Sequence, residues 1–391
     1  MRIGLVVLCA GYVLSQFFRA FLAVLSEVLG RDLGAGAEEL AIASGMWFLT
    51  FAAMQIPVGW ALDKLGPRRA AASLLALGGA GGAAVFALAQ MPWHISLAMG
   101  LIGVGCSPVL MASYFIFARV YAPAKFAMLA AVMLGTGSLG NLLGSAPLAW
   151  AVGAMGWRAS LWGMAAVSLL VAVLIARTVE DPPKADAQGG GSLLSLMKMP
   201  ALWPLLPLMV VAYAPSAGLR GLWIGPYLTD TYGATRDVVG QASLIMGVAM
   251  IAGTFFYGPM DRIVGSRKWV VIGGMTLVLA ALVLLWQVPV PGYWPSVALC
   301  AVIGFFGAVY PVMMAHGRSL FPDHLVGRGV TFLNLCSIGG VGVMQVMTGR
   351  LYASVTTTKF EDSAYAAVFA FFAATLIFGL FFYLFARDRA E

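Results

Sequence analysis

A guanidinium inside an apolar helix is a fixed positive charge that must be matched by something, and this chain places two of them in matching positions. Tyr12, Gln16 and Arg19 fall at i, i+4 and i+7 and so share one helix face. Their segment, residues 3–29, is apolar and long enough to cross a bilayer, broken only by Ser15, Gln16, Arg19, Ser26 and Glu27 among its more polar residues. About two hundred residues later Tyr213, Ser216 and Arg220 repeat the arrangement, again with seven residues between Tyr and Arg. An Arg at the centre of a spanning helix costs about 2.5–3.5 kcal/mol on insertion scales, so two in matching places call for a function. Arg stays protonated and presents a planar fork of donors, which suits a carboxylate or phosphate. The competing reading has each Arg, roughly 6 Å outward of its span's centre at 1.5 Å per residue, snorkelling to the outer interface, where Arg19 could reach Glu27 or Asp230. Two arginines, each on a polar aromatic face, favour the anion role.

The elements that must hold these groups are transmembrane helices. Hydrophobic residues make up 61% of the 391 and charged residues only 10%, with a mean hydropathy of +0.92; a soluble domain is about 25% charged. The formal net charge of +7 therefore speaks to topology rather than to nucleic acid. No cleavable signal is expected, because the first apolar run is too long. Cys9, Cys106, Cys300 and Cys336 all lie in apolar segments and read as reduced core thiols.

Twelve spans are expected, near 3–29, 40–62, 70–89, 94–119, 125–151 and 157–177, then 201–229, 238–260, 269–288, 293–318, 325–352 and 363–386. This divides the chain into an N-terminal six-helix bundle (1–177), a polar, Gly-rich linker (178–199) and a C-terminal six-helix bundle (200–391). With the N-terminus inside, sixteen of the 23 Lys and Arg fall on the inner side and five on the outer side. That bias puts both termini in the cytoplasm. The halves are repeats: Tyr12 and Arg19 map to Tyr213 and Arg220 at a shift of 201, while Arg119 and Pro123 map to Arg318 and Pro322 at a shift of 199. Repeated halves of this kind place a substrate site near the midplane, where they meet.

Other polar residues in the spans are candidates for the same site: Gln55, Tyr114, Asn141, Tyr310, His316 and Asn334. Hydrogen-bonding glue between helices is the alternative for each, and His316, which could titrate, reads equally as a satisfied structural group. Met246 and Met250, at i and i+4, with Met313, Met314 and His316, would suit a soft metal ion such as Cu(I). Plain packing is the alternative in so methionine-rich an apolar chain. No nucleophile–base constellation and no phosphate-cradling loop after a strand is present, so an enzyme is not expected, nor a cofactor.

Between the second and third spans runs Gly59-x-x-x-Asp63-x-x-Gly66-x-Arg68-Arg69, with a weaker copy at Gly258, Asp261, Arg262, Gly265, Arg267 and Lys268. This loop closely resembles the signature loop of the major facilitator superfamily, and with twelve spans and a central linker the resemblance covers the whole chain. It implies an all-α membrane protein, twelve transmembrane helices in two pseudo-symmetric six-helix bundles, working as a secondary transporter by alternating access. The resemblance further implies a gating role for Asp63, Arg68, Arg69, Arg119, Asp261 and Arg262, which latch the cytoplasmic side, with Arg119 as a candidate partner of Asp63; the alternative for Arg68 and Arg69 is that they only fix topology.

The paired arginines, and the Tyr12-x-x-x-Gln16-x-x-Arg19 face, resemble the organophosphate:phosphate antiporters and related organic-anion carriers. That resemblance implies a small anionic substrate, an organic acid or phosphorylated metabolite, held by Arg19 and Arg220 with Tyr12, Gln16 and Tyr213 nearby. Two patterns depart from other branches. Arg119 is not followed by the Gln-Gly of drug/proton antiporters, and no carboxylate lies mid-membrane as in sugar/proton symporters. A coupling proton and a counter-anion therefore both stay open as driving partners. A metal-ion importer, a drug exporter and a transporter-like sensor are the rival readings. The expected protein works as a monomer in the inner membrane, without nucleic acid.

Overall fold

The computed structural model describes residues 2–182, 199–288, 290–321, 326–357 and 361–388, which leaves most of the expected 178–199 linker outside the described residues. All regular secondary structure among the described residues is helical. The chain divides into two compact units, Met1–Ala187 and Gln188–Glu391.

In the first unit, Arg2–Ala20 and Leu22–Leu33 follow one another, and Ala37–Ala53 bends by 41° into Gln55–Lys64. Pro67–Leu74 then runs through a π-helical turn, Leu75–Ala80, into Gly81–Ala87. Pro92–Val120 is continuous, Pro123–Leu143 gives way at a 43° bend to Ala146–Met155, and Trp157–Thr178 closes the unit. The second unit opens with short pieces: Leu206–Val211, Ala214–Gly218, the π-turn Leu219–Trp223 and Ile224–Tyr232. Arg236–Val264, Arg267–Gln287, the pair Tyr293–Gly307 and Tyr310–Ser319, Val326–Thr356 and Glu361–Tyr383 complete it. Among the described residues nine helical stretches are long and apolar enough to cross a membrane, or eleven when each bent pair counts as one span. The remaining expected span, 201–229, is the one broken into pieces.

The breaks have a common chemical cause. A proline has no N–H to offer the carbonyl four residues back, and its ring crowds that carbonyl. Pro57 stands four residues after Ala53, Pro147 after Leu143, Pro215 after Val211 and Pro311 after Gly307, and a helix ends at each of those four residues. Proline is not sufficient alone, since Pro108 and Pro259 sit inside unbroken helices. The broken spans are those carrying Trp47, Asn141, Arg220 and Tyr310.

The repeat is visible in the turns and in the packing. Gly34 (φ 66°) and Gly233 (φ 63°), 199 residues apart, end equivalent helices in the left-handed conformation that glycine adopts without a Cβ penalty. The N–H of the residue after each reaches back six residues, Ala35 to Leu29 at 3.3 Å and Ala234 to Leu228 at 3.2 Å. Within unit 1, Arg2–Ala20 packs on Pro123–Leu143, and Ala37–Ala53 packs on Pro92–Val120. In unit 2, Leu206–Val211 packs on Val326–Thr356, and Arg236–Val264 on Tyr293–Gly307. Missing side chains make these approaches possible. A Cβ on Gly140 would lie 2.0 Å from the Val13 carbonyl oxygen, and one on Gly340 2.0 Å from that of Val210. Large apolar side chains cover the outside, among them Leu77, Trp150, Phe255 and Phe385, as a lipid-facing surface requires.

Candidate functional site

Arg19 lies in the last turn of Arg2–Ala20. Gly140 lets the backbone of Pro123–Leu143 close on Val13, and Gly137 meets the Tyr12 ring, so the polar face of the first helix is fixed from that side. On the other side the guanidinium sits on two rings of the second span. Its Cζ is 4.9 Å from the Trp47 centroid and 5.0 Å from that of Phe51, within cation–π range. The two rings stack on each other, centroids 4.9 Å apart and planes at 18°, as an i, i+4 pair on one helix face allows. Trp47 is itself held close to Pro92–Val120, because a Cβ on Gly103 would stand 2.4 Å from the Trp47 carbonyl oxygen. Thr50 donates to the Gly100 carbonyl at 2.9 Å across the same contact.

Arg19 is half-buried and, among the described residues, forms no ion pair, with Glu27 or any other carboxylate. Its Nε is buried and has no hydrogen-bond partner among the described residues. The charge rests on aromatic faces rather than beside a neighbouring acid. Gln16 donates to the Tyr12 hydroxyl at 2.6 Å, and the Tyr114 phenol is close enough to Tyr12 to interact electrostatically.

In unit 2 Arg220 stands on the π-turn Leu219–Trp223 and is 3% exposed. That turn is fastened to Val326–Thr356. The Trp223 indole N–H donates to Gln345 Oε1 and Thr348 Oγ1, both at 3.1 Å, and Gln345 Nε2 donates to the Gly218 carbonyl at 3.4 Å. One turn earlier Ser216 donates to the Ile303 carbonyl at 3.0 Å. Tyr213 and Tyr310 meet with ring centroids 5.9 Å apart, and Tyr310 donates to Asn334 Oδ1 at 2.6 Å. Tyr213, Tyr310, Met313 and Ser337 border a narrow crevice beside them, too tight to hold a water molecule. The predicted Tyr213, Tyr310 and Asn334 thus come together.

Other predicted residues fall elsewhere. His316 is fully buried, with Nδ1 2.5 Å from the Tyr383 hydroxyl and Nε2 2.9 Å from the Arg387 carbonyl oxygen. Both ring nitrogens are thus occupied by the protein, which corrects the assignment of His316 to a substrate or metal site. Met246 and Met250 fill space against Gly304, their Cγ atoms 3.0 and 3.1 Å from where its Cβ would stand. Among the described residues no three His, Cys, Asp or Glu gather into a metal-binding group. Gln55 is buried and donates across the bend to the Phe51 carbonyl of the preceding helix at 3.1 Å. Asn141 is half-buried within Pro123–Leu143.

Around the signature loop, Arg119 Nη2 lies 3.5 Å from Asp63 Oδ1, with the Arg119 guanidinium over the Phe115 ring. Arg68 takes a partner that sequence reading missed. Asp181, just beyond the sixth span, accepts the Arg68 backbone N–H at 2.8 Å and lies 3.5 Å from its Nε, capping Pro67–Leu74. Unit 2 has a counterpart, in which Ser266 bonds Asp388 and Lys268 donates to the Leu384 carbonyl at 2.6 Å. Arg69 and Arg262 are exposed, while the Asp261 side chain lies outside the described residues. Trp47, Phe51 and Asp181 were not singled out from the sequence. The i, i+4 aromatic pair was legible, but not the face it presents.

The Major Facilitator Superfamily family model matches residues 8–225 and again 209–391. Two Agrobacterium vitis proteins, each named "Putative tartrate transporter", are 24% and 22% identical over 309 and 308 residues. Both alignments cover 69% of this chain, and 67% and 70% of the relatives. Among solved structures, a D-xylose–proton symporter superposes with a TM-score of 0.74 at 15% identity, covering 95% of this chain and 96% of that one. A nucleoside transporter superposes with a TM-score of 0.72 at 15% identity, covering 98% and 99%.

Proposed function

Because this chain belongs to the Major Facilitator Superfamily and is therefore a multi-pass secondary transporter rather than an enzyme, we propose that it carries a small organic-acid anion across the cytoplasmic membrane by alternating access. Arg19 and Arg220 are its anion-recognising groups, and both termini lie in the cytoplasm. The observation that carries this reading is the setting of Arg19: a guanidinium within a spanning helix, seated on Trp47 and Phe51, with neither a carboxylate partner nor an acceptor for its buried Nε–H among the described residues. Such a charge is tolerated in an apolar wall when a substrate supplies the counter-charge. The repeat of the Tyr/Arg spacing at Tyr213 and Arg220 supports a matching role in the second half.

Between the two anion classes open to a guanidinium, the carboxylate is the better choice. The relatives matched along two thirds of their length are named for tartrate, a dicarboxylate. A phosphorylated metabolite, as in the organophosphate:phosphate branch, is the alternative outcome of the test. Purified protein in liposomes, loaded in turn with tartrate, succinate and glycerol phosphate, is assayed for uptake with and without a pH gradient. The expected result is carboxylate uptake that Arg19→Gln abolishes at unchanged folding. Uptake of phosphate esters alone shifts the substrate class, and carboxylate uptake that survives Arg19→Gln refutes the reading. Response to the pH gradient separates proton coupling from anion exchange.

A further inference from the structure

Arg19 is not the only orphaned group in its surroundings. Two buried nitrogens here have no hydrogen-bond partner among the described residues: Arg19 Nε and the indole Nε1 of Trp47. Trp47 is 0% exposed and Ser15 1%. Ser15 stands at i−4 from Arg19 on the same helix face, and Trp47 is one of the two rings under the guanidinium. The nearby Cys106 thiol interacts electrostatically with Arg19 and pairs with the Ser15 hydroxyl, so Ser15 is partnered within the protein; as an acceptor for the arginine a thiol is weak.

A buried N–H in an apolar wall is matched by an acceptor in nearly every protein interior. An indole that only needed to fill space could be a phenylalanine, as its stacking partner Phe51 is. Other buried indoles of this chain are satisfied: Trp157 donates to Asp32 at 2.9 Å, and Trp223 to Gln345 and Thr348. Trp47 therefore differs in kind. Its ring is a seat for the cation, and its N–H is a donor with no acceptor among the described residues.

We infer that Trp47 is a substrate-binding residue, its indole N–H donating to the hydroxyl oxygen of an α-hydroxy carboxylate whose carboxylate lies on Arg19. Resting on the anion reading above, this narrows the substrate from organic acids in general to those with an oxygen next to the carboxylate. The chemistry fits the geometry of such a ligand, in which carboxylate and α-hydroxyl oxygens are neighbours on one side of the molecule. They can meet a guanidinium and an adjacent N–H together.

The test is a binding series on the purified full-length protein with succinate, malate and tartrate, which carry no, one and two hydroxyls on the same four-carbon dicarboxylate. Wild type is expected to bind malate and tartrate more tightly than succinate. Trp47→Phe, which keeps the ring seat and removes only the donor, is expected to weaken the hydroxy acids roughly 10- to 100-fold and leave succinate unchanged. Arg19→Gln is expected to lose all three. A Trp47→Phe protein that keeps the wild-type preference, while Arg19→Gln loses binding, overturns the role of Trp47 and leaves the anion reading standing. Binding that survives Arg19→Gln overturns both. Should the phenylalanine variant fail to fold, wild type alone decides, since no preference for hydroxy acids over succinate, or no binding of them, also overturns the inference.

Discussion

The helix contacts that hold Arg19 in place make one quantitative demand on the sequence. At Gly140 a Cβ would stand 2.0 Å from the Val13 carbonyl oxygen, 2.9 Å from the Phe17 N and 2.9 Å from the Val13 carbonyl carbon. All three are backbone atoms of the helix carrying Arg19, so no side chain can rotate away. An ordinary contact needs more than 3.4 Å, so the two helices must separate by an ångström or more, or tilt. Overpacking of this kind costs about 1–3 kcal/mol. Gly135 lies on the same helix, five residues earlier, with nothing within 4 Å of its Cβ position. There alanine removes backbone freedom without a clash and is worth up to about 1 kcal/mol of stabilisation. The same substitution should therefore have opposite signs at two sites on one helix. Thermal unfolding of the purified protein, followed by loss of the monodisperse chromatographic peak, reads this directly. Gly140→Ala should unfold several degrees below wild type, at roughly 2–4 °C per kcal/mol for a unit of this size, and Gly135→Ala at or slightly above it. The second half repeats the experiment, with Gly340→Ala (2.0 Å from the Val210 carbonyl oxygen) against Gly273→Ala, which meets nothing. Equal midpoints for Gly135→Ala and Gly140→Ala would show that this contact does not set the position of the first helix.

Three further outcomes follow from particular contacts. Trp223→Phe removes two hydrogen bonds that fasten the π-turn to Val326–Thr356, at about 0.5–1.5 kcal/mol each; its midpoint should fall, whereas Trp203→Phe at a 59% exposed position should be silent. Asp181→Ala uncaps Pro67–Leu74, a loss of about 0.5–2 kcal/mol, most of it local because the ion pair with Arg68 is solvent-screened. Amide exchange at Arg68 and the residues after it should accelerate, and no change there refutes the cap. Asp32 is held below the ordinary carboxylate value of 3.8, first by the hydrogen bond from Arg31 and then by the indole N–H of Trp157. A depressed carboxyl contributes stability that is full above the unfolded value and is lost as pH falls through the folded one. The stability difference between wild type and Asp32→Asn should be constant near neutrality and shrink below about pH 3.8, and a difference that grows on acidification would contradict the assignment.

What could be read from the sequence was whatever is local or repeated. Spans of apolar residues are local, and so is the i, i+7 relation of Tyr12 to Arg19. The two-hundred-residue repeat needs only the chain compared with itself. The proline breaks were legible too, since each proline stands four residues beyond the helix end it enforces, but they were passed over because hydropathy does not register them. Partners were another matter. His316 reads as a titratable group in a tenth span, and only the fold brings Tyr383 and the Arg387 carbonyl, 67 and 71 residues away, to occupy both its nitrogens. Asp181 lies in a stretch that reads as linker, yet it caps a helix 113 residues earlier. The seat of Arg19 needed to be known in three dimensions, because Trp47 and Phe51 could have faced lipid at the same spacing.

The repeat also promises more symmetry than the environments deliver. Arg19 and Arg220 occupy equivalent places in sequence, but their surroundings differ in kind. Arg19 closes an ordinary helix and rests on aromatic faces, half-buried, beside an indole N–H that has no acceptor among the described residues. Arg220 sits in a π-turn at 3% exposure, beside a satisfied network of Trp223, Gln345 and Thr348. A π-turn widens the ring of backbone bonds and re-aims one side chain relative to its helix, a device found at functional positions, and the network holds that direction fixed. Identical residue types at equivalent positions can in this way stand in unlike settings, because each setting is made by residues outside the repeated spacing: Trp47 and Phe51 in one half, Gln345 and Thr348 in the other.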